Sequence, residues 1–218
     1  MATRFSQFLR NASKKTFQRQ NFKTYGKYFS AGLGISAASL LTVASCDDQK
    51  PSFSMPYRML GNTGLQVSVL SYGFWATFGS KGDLKEREGI EAAKDCLRKA
   101  RDHGVNLFDN AEVYGDPSGE AEKIMGIALK ELALEDPVKW RRSDLIITTK
   151  LFWCGKGVNE KGLSKKHVDE GIDGSLERLQ LPYVDLLFCH RPDPLTPTET
   201  VVRAMTDVVR SGKVSTTH

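Results

Sequence analysis

Four ionisable residues stand at matching points of the chain: Asp109 with Tyr114 five residues on, Lys150, and His190 between Cys189 and Arg191. The aspartate, lysine and histidine each follow a short apolar run, at residues 105–108, 145–149 and 184–188. Together these side-chain types make a proton donor. A phenol titrates near pH ~10 in water, and an ammonium beside it favours the phenolate and eases release of the proton. A carboxylate paired with the lysine keeps it charged and oriented. A tyrosine tuned this way gives a proton to a carbonyl oxygen as hydride reaches its carbon, and takes it back in reverse. A neutral histidine donor polarises the same oxygen. Singly, each residue has an ordinary reading: Asp109 as a loop cap, Tyr114 as packing, Lys150 as a solvated strand end, His190 as a structural group beside Arg191. Their recurrence at three consecutive strand ends argues for one shared site.

The elements that must position them alternate. Residues 57–60 and 66–70 are β-prone and flank Gly61-Asn62-Thr63-Gly64, where Asn and Gly supply the positive φ of a tight turn, so a hairpin is predicted. A run at 69–72 leads into the aromatic, glycine-rich stretch from Gly73 to Gly79. Helical spacing is read over 86–103 (Ile90, Ala93, Leu97, Ala100), ended by His103-Gly104, and over 119–132 (Ala121, Ile124, Met125, Ala128, Leu129, Leu132). Ser164 is the expected cap of a third helix burying Val168, Ile172, Leu176 and Leu179. A fourth, 197–211, carries Val201, Val202, Met205, Val208 and Val209 and closes at Gly212. Strands apolar throughout, alternating with amphipathic helices, imply an α/β fold with a parallel sheet covered by helices. A doubly wound open sheet and a (β/α)8 barrel both fit. No G-x-G-x-x-G follows the first strand, which weighs against a dinucleotide-binding doubly wound unit. In a barrel, the C-terminal strand ends share the face that carries the chemistry.

Composition narrows the function classes. The 218 residues are 40% hydrophobic and 26% charged, which excludes a wholly disordered chain and a multi-span membrane protein. The net charge of +5 is local: residues 1–46 hold seven Lys/Arg and no acid, and removing those seven from 31 leaves 24 bases against 26 acids. Nucleic-acid binding needs a basic patch on the domain itself and so loses its support. Cys46, Cys96, Cys154 and Cys189 are widely spaced, without C-x-x-C or a metal-ligand cluster, so reduced thiols are expected. No role is assigned to Cys154 or Cys189, although both lie near the predicted site. Residues 1–50 read as a targeting leader: basic and acid-free over 1–28, then uncharged over 31–46, a run short of the ~20 residues a membrane-spanning helix needs. Mitochondrial import is the leading expectation, with cytoplasmic location or membrane association through 31–46 as alternatives. Residues 51–56 read as a linker into a domain at 57–218.

Three segments, Tyr57 to Ser68, Asn106-Leu107-Phe108-Asp109-Asn110-Ala111-Glu112-Val113-Tyr114, and Ile147-Thr148-Thr149-Lys150, resemble the aldo-keto reductases. The runs WRRSDLIITTKLFW, KGLSKKHVDEG, SLERLQLPYVDLLFCHRPDP and ETVVRAMT are similar to the branch that contains voltage-gated potassium-channel beta subunits and their plant, fungal and bacterial relatives. The resemblance covers about residues 55–214. It implies a (β/α)8 barrel with an N-terminal hairpin that uses NADPH to reduce small carbonyl substrates. Tyr114 takes the family's proton-donor position, Asp109 and Lys150 the positions that support it, and His190 the fourth. Asp109 and His190 also stand among the cofactor contacts. Animal channel subunits typically have Asn at the fourth position, so His190 sides with catalytic competence. Trp75 matches a residue lining the nicotinamide end. Phe74 and Lys81 occupy cofactor-contact positions where the family usually has Thr and Gln. The alternative that the resemblance implies is a regulatory subunit that binds a potassium channel while sensing NADPH redox state, and homo-oligomerisation is the other partner expectation.

A full barrel typically takes ~250 residues. The 164 residues left after setting aside the first 54 of 218 carry four βα units, and Gly212-Lys213-Val214 reads as entry to a fifth strand that Ser215-Thr216-Thr217-His218 does not continue. The family's later Ser-Arg motif and its pyrophosphate and 2′-phosphate segments are not matched. The expectation is an incomplete barrel, a fragment of a longer reductase, that binds NADPH poorly; an inactive fragment is the remaining alternative.

Overall fold

The computed structural model describes residues 54–75, 77–78 and 86–217. The leader at 1–50 and Lys81 lie outside the described residues. Strands β1 (Tyr57–Met59) and β2 (Gln66–Ser68) form an antiparallel hairpin with Arg58 opposite Val67, its turn carried by Gly61 and Gly64 at φ of 52° and 77°. After β3 (Ser71–Gly73) the order is α1 (Glu86–Asp102), β4 (Leu107–Asp109), α2 (Glu120–Glu135), a 3-10 turn (Arg142–Asp144), β5 (Ile146–Leu151), α3 (Lys165–Leu179), β6 (Val184–Cys189), α4 (Thr198–Arg210) and β7 (Val214–Thr217).

Strands β3 to β7 make one parallel sheet in strict sequence order. With right-handed crossovers, an order that never reverses puts every connecting helix on one face. A doubly wound sheet must reverse its order to cover both faces, so that alternative is excluded. The helices pack in the same succession, α1 on α2, α2 on α3 and α3 on α4. This is the arrangement of consecutive units of a (β/α)8 barrel, here an incomplete one of five strands and four helices among the described residues.

The core lies between helices and sheet. Phe108, Ile147 and Leu187 from the strands and Leu97, Met125, Ile172 and Leu179 from the helices are fully buried. Their burial follows the two periods, 2 along the strands and 3.6 along the helices. Local chemistry sets the ends. The Ser164 hydroxyl accepts the His167 amide at 3.2 Å to cap α3. Gly104, at φ 84°, closes α1 and donates to the Arg101 carbonyl at 3.0 Å. Asn106 pins the hairpin under the sheet: its side chain accepts the Ser68 amide at 2.8 Å and donates to the Gln66 carbonyl at 3.0 Å.

Several sequence expectations shift. Met55, expected in the linker, is buried in the core and packs against Gly104. Val105 donates to the Ala100 carbonyl as part of the exit from α1, so β4 starts later and takes in Asp109. β5 runs on to Leu151, one residue past the end expected at Lys150. Val202 is 58% exposed, because Ala204, Met205 and Val208 set the buried stripe of α4 and Val202 falls outside it. Ser215–Thr217 does continue the fifth strand of the sheet: Thr216 aligns with Leu186 and Thr217 with Leu187. Pairing draws on backbone groups, and β-branched Thr suits a strand even where the run is polar. Among the described residues no helix is long and apolar enough to cross a membrane.

Candidate active site

Parallel register builds the centre of the site. Asp109 at the end of β4 lies opposite Thr148 of β5, and Lys150, two residues on, shares the face of Thr148. The Asp109 carboxylate accepts from the Thr148 hydroxyl at 2.7 Å through Oδ1 and from Lys150 Nζ at 2.6 Å through Oδ2. Lys150 Nζ also donates to the Asn110 carbonyl at 2.7 Å. The side chains of Lys150 and Asp109 are 15% and 30% exposed, so the ammonium is held at a sheltered rim.

Tyr114 arrives on the loop after β4. Its carbonyl accepts the Gly119 and Ala121 amides at 3.1 Å each, which ties the loop to the first turn of α2. Lys150 Nζ lies 4.6 Å from the centroid of the Tyr114 ring, within cation–π range. His190 follows β6 directly and continues the ladder, its amide donating to the Leu151 carbonyl at 3.0 Å. Its ring stands edge-on to Tyr114, 5.8 Å between centroids at 80°. Burial, then the Lys150 and Arg191 charges, push the His190 imidazole below its ordinary range, so it is neutral at pH 7. Its Nδ1 is buried with no hydrogen-bond partner among the described residues. Trp75, 72% exposed, sits on the other side of the phenol, 6.4 Å away by centroid.

Five of the predicted site residues, Asp109, Tyr114, Lys150, His190 and Trp75, are thus brought to one rim. Phe74 is not: it is 0% exposed and packs on Tyr72 and Phe78, so its side chain is a core group with no surface to offer a ligand. Phe74 turns inward together with Phe78, while Trp75 between them in the chain faces out. Lys81 lies outside the described residues. Two supporting groups escaped the sequence reading. Thr148 carried the period-2 signal that would have found it. Glu112, an acid between Ala111 and Val113, is 0% exposed and holds the amides of Phe152 and Cys154 at 2.6 and 3.2 Å. Burial pushes the Cys154 and Cys189 thiols up, for Cys154 with help from the Glu112 charge, so both stay protonated at pH 7. Among the described residues no group of three or more His, Cys, Asp or Glu is gathered as metal ligands are.

Known proteins give the same picture. The chain is 54% identical over 158 residues to two proteins each called "Probable voltage-gated potassium channel subunit beta", from Arabidopsis thaliana and from Oryza sativa subsp. japonica; each match covers 72% of this chain and 44% of the relative. The chain therefore spans less than half the length of these curated relatives. A thermostable aldo-keto reductase solved with the inhibitor epalrestat superposes with a TM-score of 0.60 at 29% identity, over 75% of this chain and 53% of that one. An aldo-keto reductase from Bacillus halodurans in its holo form gives 0.60 at 26% identity, over 75% and 49%. Residues 69–217 match the aldo/keto reductase family, and with the barrel units and the rim described above the chain belongs to that family of oxidoreductases.

Proposed function

We propose that the rim is the catalytic centre of an NADPH-dependent carbonyl reductase, with Tyr114 as proton donor. The observation that carries this reading is the position of Lys150 Nζ, 2.6 Å from the Asp109 carboxylate and 4.6 Å from the Tyr114 ring centre. An ammonium fixed there by a carboxylate favours the transition state in which the phenol gives up its proton. Neutral His190 can donate a hydrogen bond to a carbonyl oxygen without competing as an acid. Asp109 holds Lys150, and Thr148 holds Asp109, so the geometry exists before a substrate arrives.

The residues present fit the nicotinamide end of the cofactor. Trp75 offers an open aromatic face beside the phenol, and the buried Nδ1 of His190 is a polar group that no partner among the described residues satisfies. Trp75, Asp109 and His190 would hold that end. The bound cofactor supplies the hydride. The chain's residues do the rest: they orient the carbonyl, shelter it from water and deliver the proton from the Tyr114 hydroxyl. The test is NADPH consumption with small aldehydes by a version extended to the length of the relatives. Tyr114→Phe should lower turnover by about 10²-fold or more while NADPH binding, read by fluorescence, is kept. Undiminished turnover in that variant would reject Tyr114 as the donor.

A second reading, a channel-associated regulatory subunit, is favoured by the 54% identity to the two plant proteins and by their names. Co-purification with the cytoplasmic part of a potassium channel would support it. Organellar import is the proposal for residues 1–50. A diffuse cytosolic signal from a reporter fused to them would reject it.

A further inference from the structure

Glu112 has no part in the proton transfer above, yet it is the most deeply enclosed acid of the rim, 0% exposed. Its Oε1 accepts three donors: the Phe152 amide at 2.6 Å, the Cys154 amide at 3.2 Å and His167 Nε2 at 3.2 Å. Its own amide donates to the Lys150 carbonyl at 3.2 Å. Its Oε2 is buried with no hydrogen-bond partner among the described residues. Gly171 of α3 leaves the space around that oxygen, since a Cβ there would lie 3.3 Å from it. Burying a carboxyl with one bare oxygen is costly, and an apolar residue of similar size would fill the volume at less cost. The acid must therefore be doing something that volume does not.

What it does is join three segments. The first is its own stretch, which runs from Asp109 through Asn110 to Tyr114. The second is the end of β5 and the loop after it, which carries Lys150 and then Trp153. The third is the first turn of α3, through His167. The first two hold the phenol and the ammonium, and the two amides clamped by Oε1 flank Trp153 on either side. Trp153 is 42% exposed and stands edge-on to Phe152 at 4.5 Å. We propose that Glu112 is a positioning residue: its Oε1 locks the β4 and β5 loops to α3, which fixes the Tyr114 ring over Lys150 and presents Trp153 at the rim. The kinetic consequence of the clamp rests on the reductase reading; the clamp itself does not.

The test uses the whole chain labelled with 3-fluorotyrosine. Its fluorine resonance for Tyr114 is identified by its loss in Tyr114→Phe. In Glu112→Leu the Tyr114 resonance should move toward that of the free amino acid while those of Tyr57 and Tyr183 hold. In Glu112→Gln, which keeps an oxygen acceptor for both amides, it should stay near its original position, a rescue that a general loss of stability would not show. Should Glu112→Leu fail to fold, His167→Leu withdraws the helix arm alone and must shift the same resonance in the same direction. A Tyr114 resonance that stays put in a folded Glu112→Leu or His167→Leu chain overturns the clamp. In carbonyl reduction, Glu112→Leu should lower kcat by about 10-fold to 100-fold with KM for NADPH within about two-fold. An unchanged kcat alongside a shifted resonance would overturn the positioning role. Turnover is read in a version extended to the length of the relatives: a parent without turnover there would count against the reductase reading, and the fluorine result would still decide the clamp.

Discussion

Replacing Gly126 by Ala sets two effects of opposite sign against each other. Gly126 lies within α2, where Ala is favoured over Gly by about 0.5–1 kcal/mol. But α2 meets the end of α3 there: a Cβ would lie 2.5 Å from the Leu179 carbonyl oxygen, 2.6 Å from its carbon and 2.7 Å from the Arg178 oxygen. A carbon rests at roughly 3.3 Å or more from such an oxygen, so the helices must part by nearly an ångström. The obstacle is backbone, which cannot rotate aside, so the upper part of the ~1–3 kcal/mol range for overpacking applies. Parting also strains the ties one turn earlier, where buried Glu122 accepts Thr149 Oγ1 at 2.5 Å and Arg178 Nε at 2.7 Å. The net expectation is a loss of about 1.5–2 kcal/mol, or a Tm lower by roughly 3–8 °C for a domain of this size. Gly89→Ala in α1 is the control. Among the described residues its Cβ would meet only Ile124 Cδ1 at 3.9 Å, ordinary contact, so propensity and added burial both favour it. Thermal unfolding by circular dichroism reads both. Equal signs for the two variants, or a Gly126→Ala chain as stable as the parent, would refute the close approach of α2 to α3.

Glu122→Leu should destabilise by about 2–3 kcal/mol in urea unfolding: breaking a buried pair from one side costs about 3–5 kcal/mol, less here because the Arg178 side chain keeps 20% exposure. His190 should make stability fall with acid. Its folded pKa lies below the ordinary value, so as pH drops through about 6.5 the unfolded chain takes up a proton that the folded chain refuses. His190→Asn should flatten the dependence of Tm on pH in that range. Asp193 adds a second acid-sensitive contribution: the Leu163 amide and then the Thr196 hydroxyl hold its carboxyl below the usual range. The stability it lends is present above the unfolded value and lost as pH falls through the folded one, so Asp193→Asn should be less sensitive to pH below about 4. Cys154 and Cys189, pushed up by burial, should alkylate slowly at neutral pH and much faster in urea, as followed by mass spectrometry.

Much of the fold was legible because the signals that carry it are local. A 3.6-residue apolar period marks a helix wherever it packs, and Ser164 caps α3 with its own hydroxyl. Asp109, Lys150 and His190 were legible as a set because parallel strands align their ends. Side-chain direction in segments without periodicity was not. From Gly73 to Gly79 the aromatics follow no pattern, so nothing local says that Phe74 goes inside and Trp75 outside. The polar run Ser215–Thr217 gives no apolar signal, and only the neighbouring strand β6 makes it a strand.

The amino-acid sequence by itself determined the types of the elements, their buried stripes and which residues could do chemistry, since each depends on spacing along the chain. Tertiary structure alone decided that the strands never reverse their order, that Lys150 Nζ reaches both Asp109 and the face of Tyr114, and that Glu112 is enclosed among three segments. Those outcomes depend on which surfaces meet, and groups 40 or 55 residues apart in the chain meet only when the sheet and its helices have closed around them.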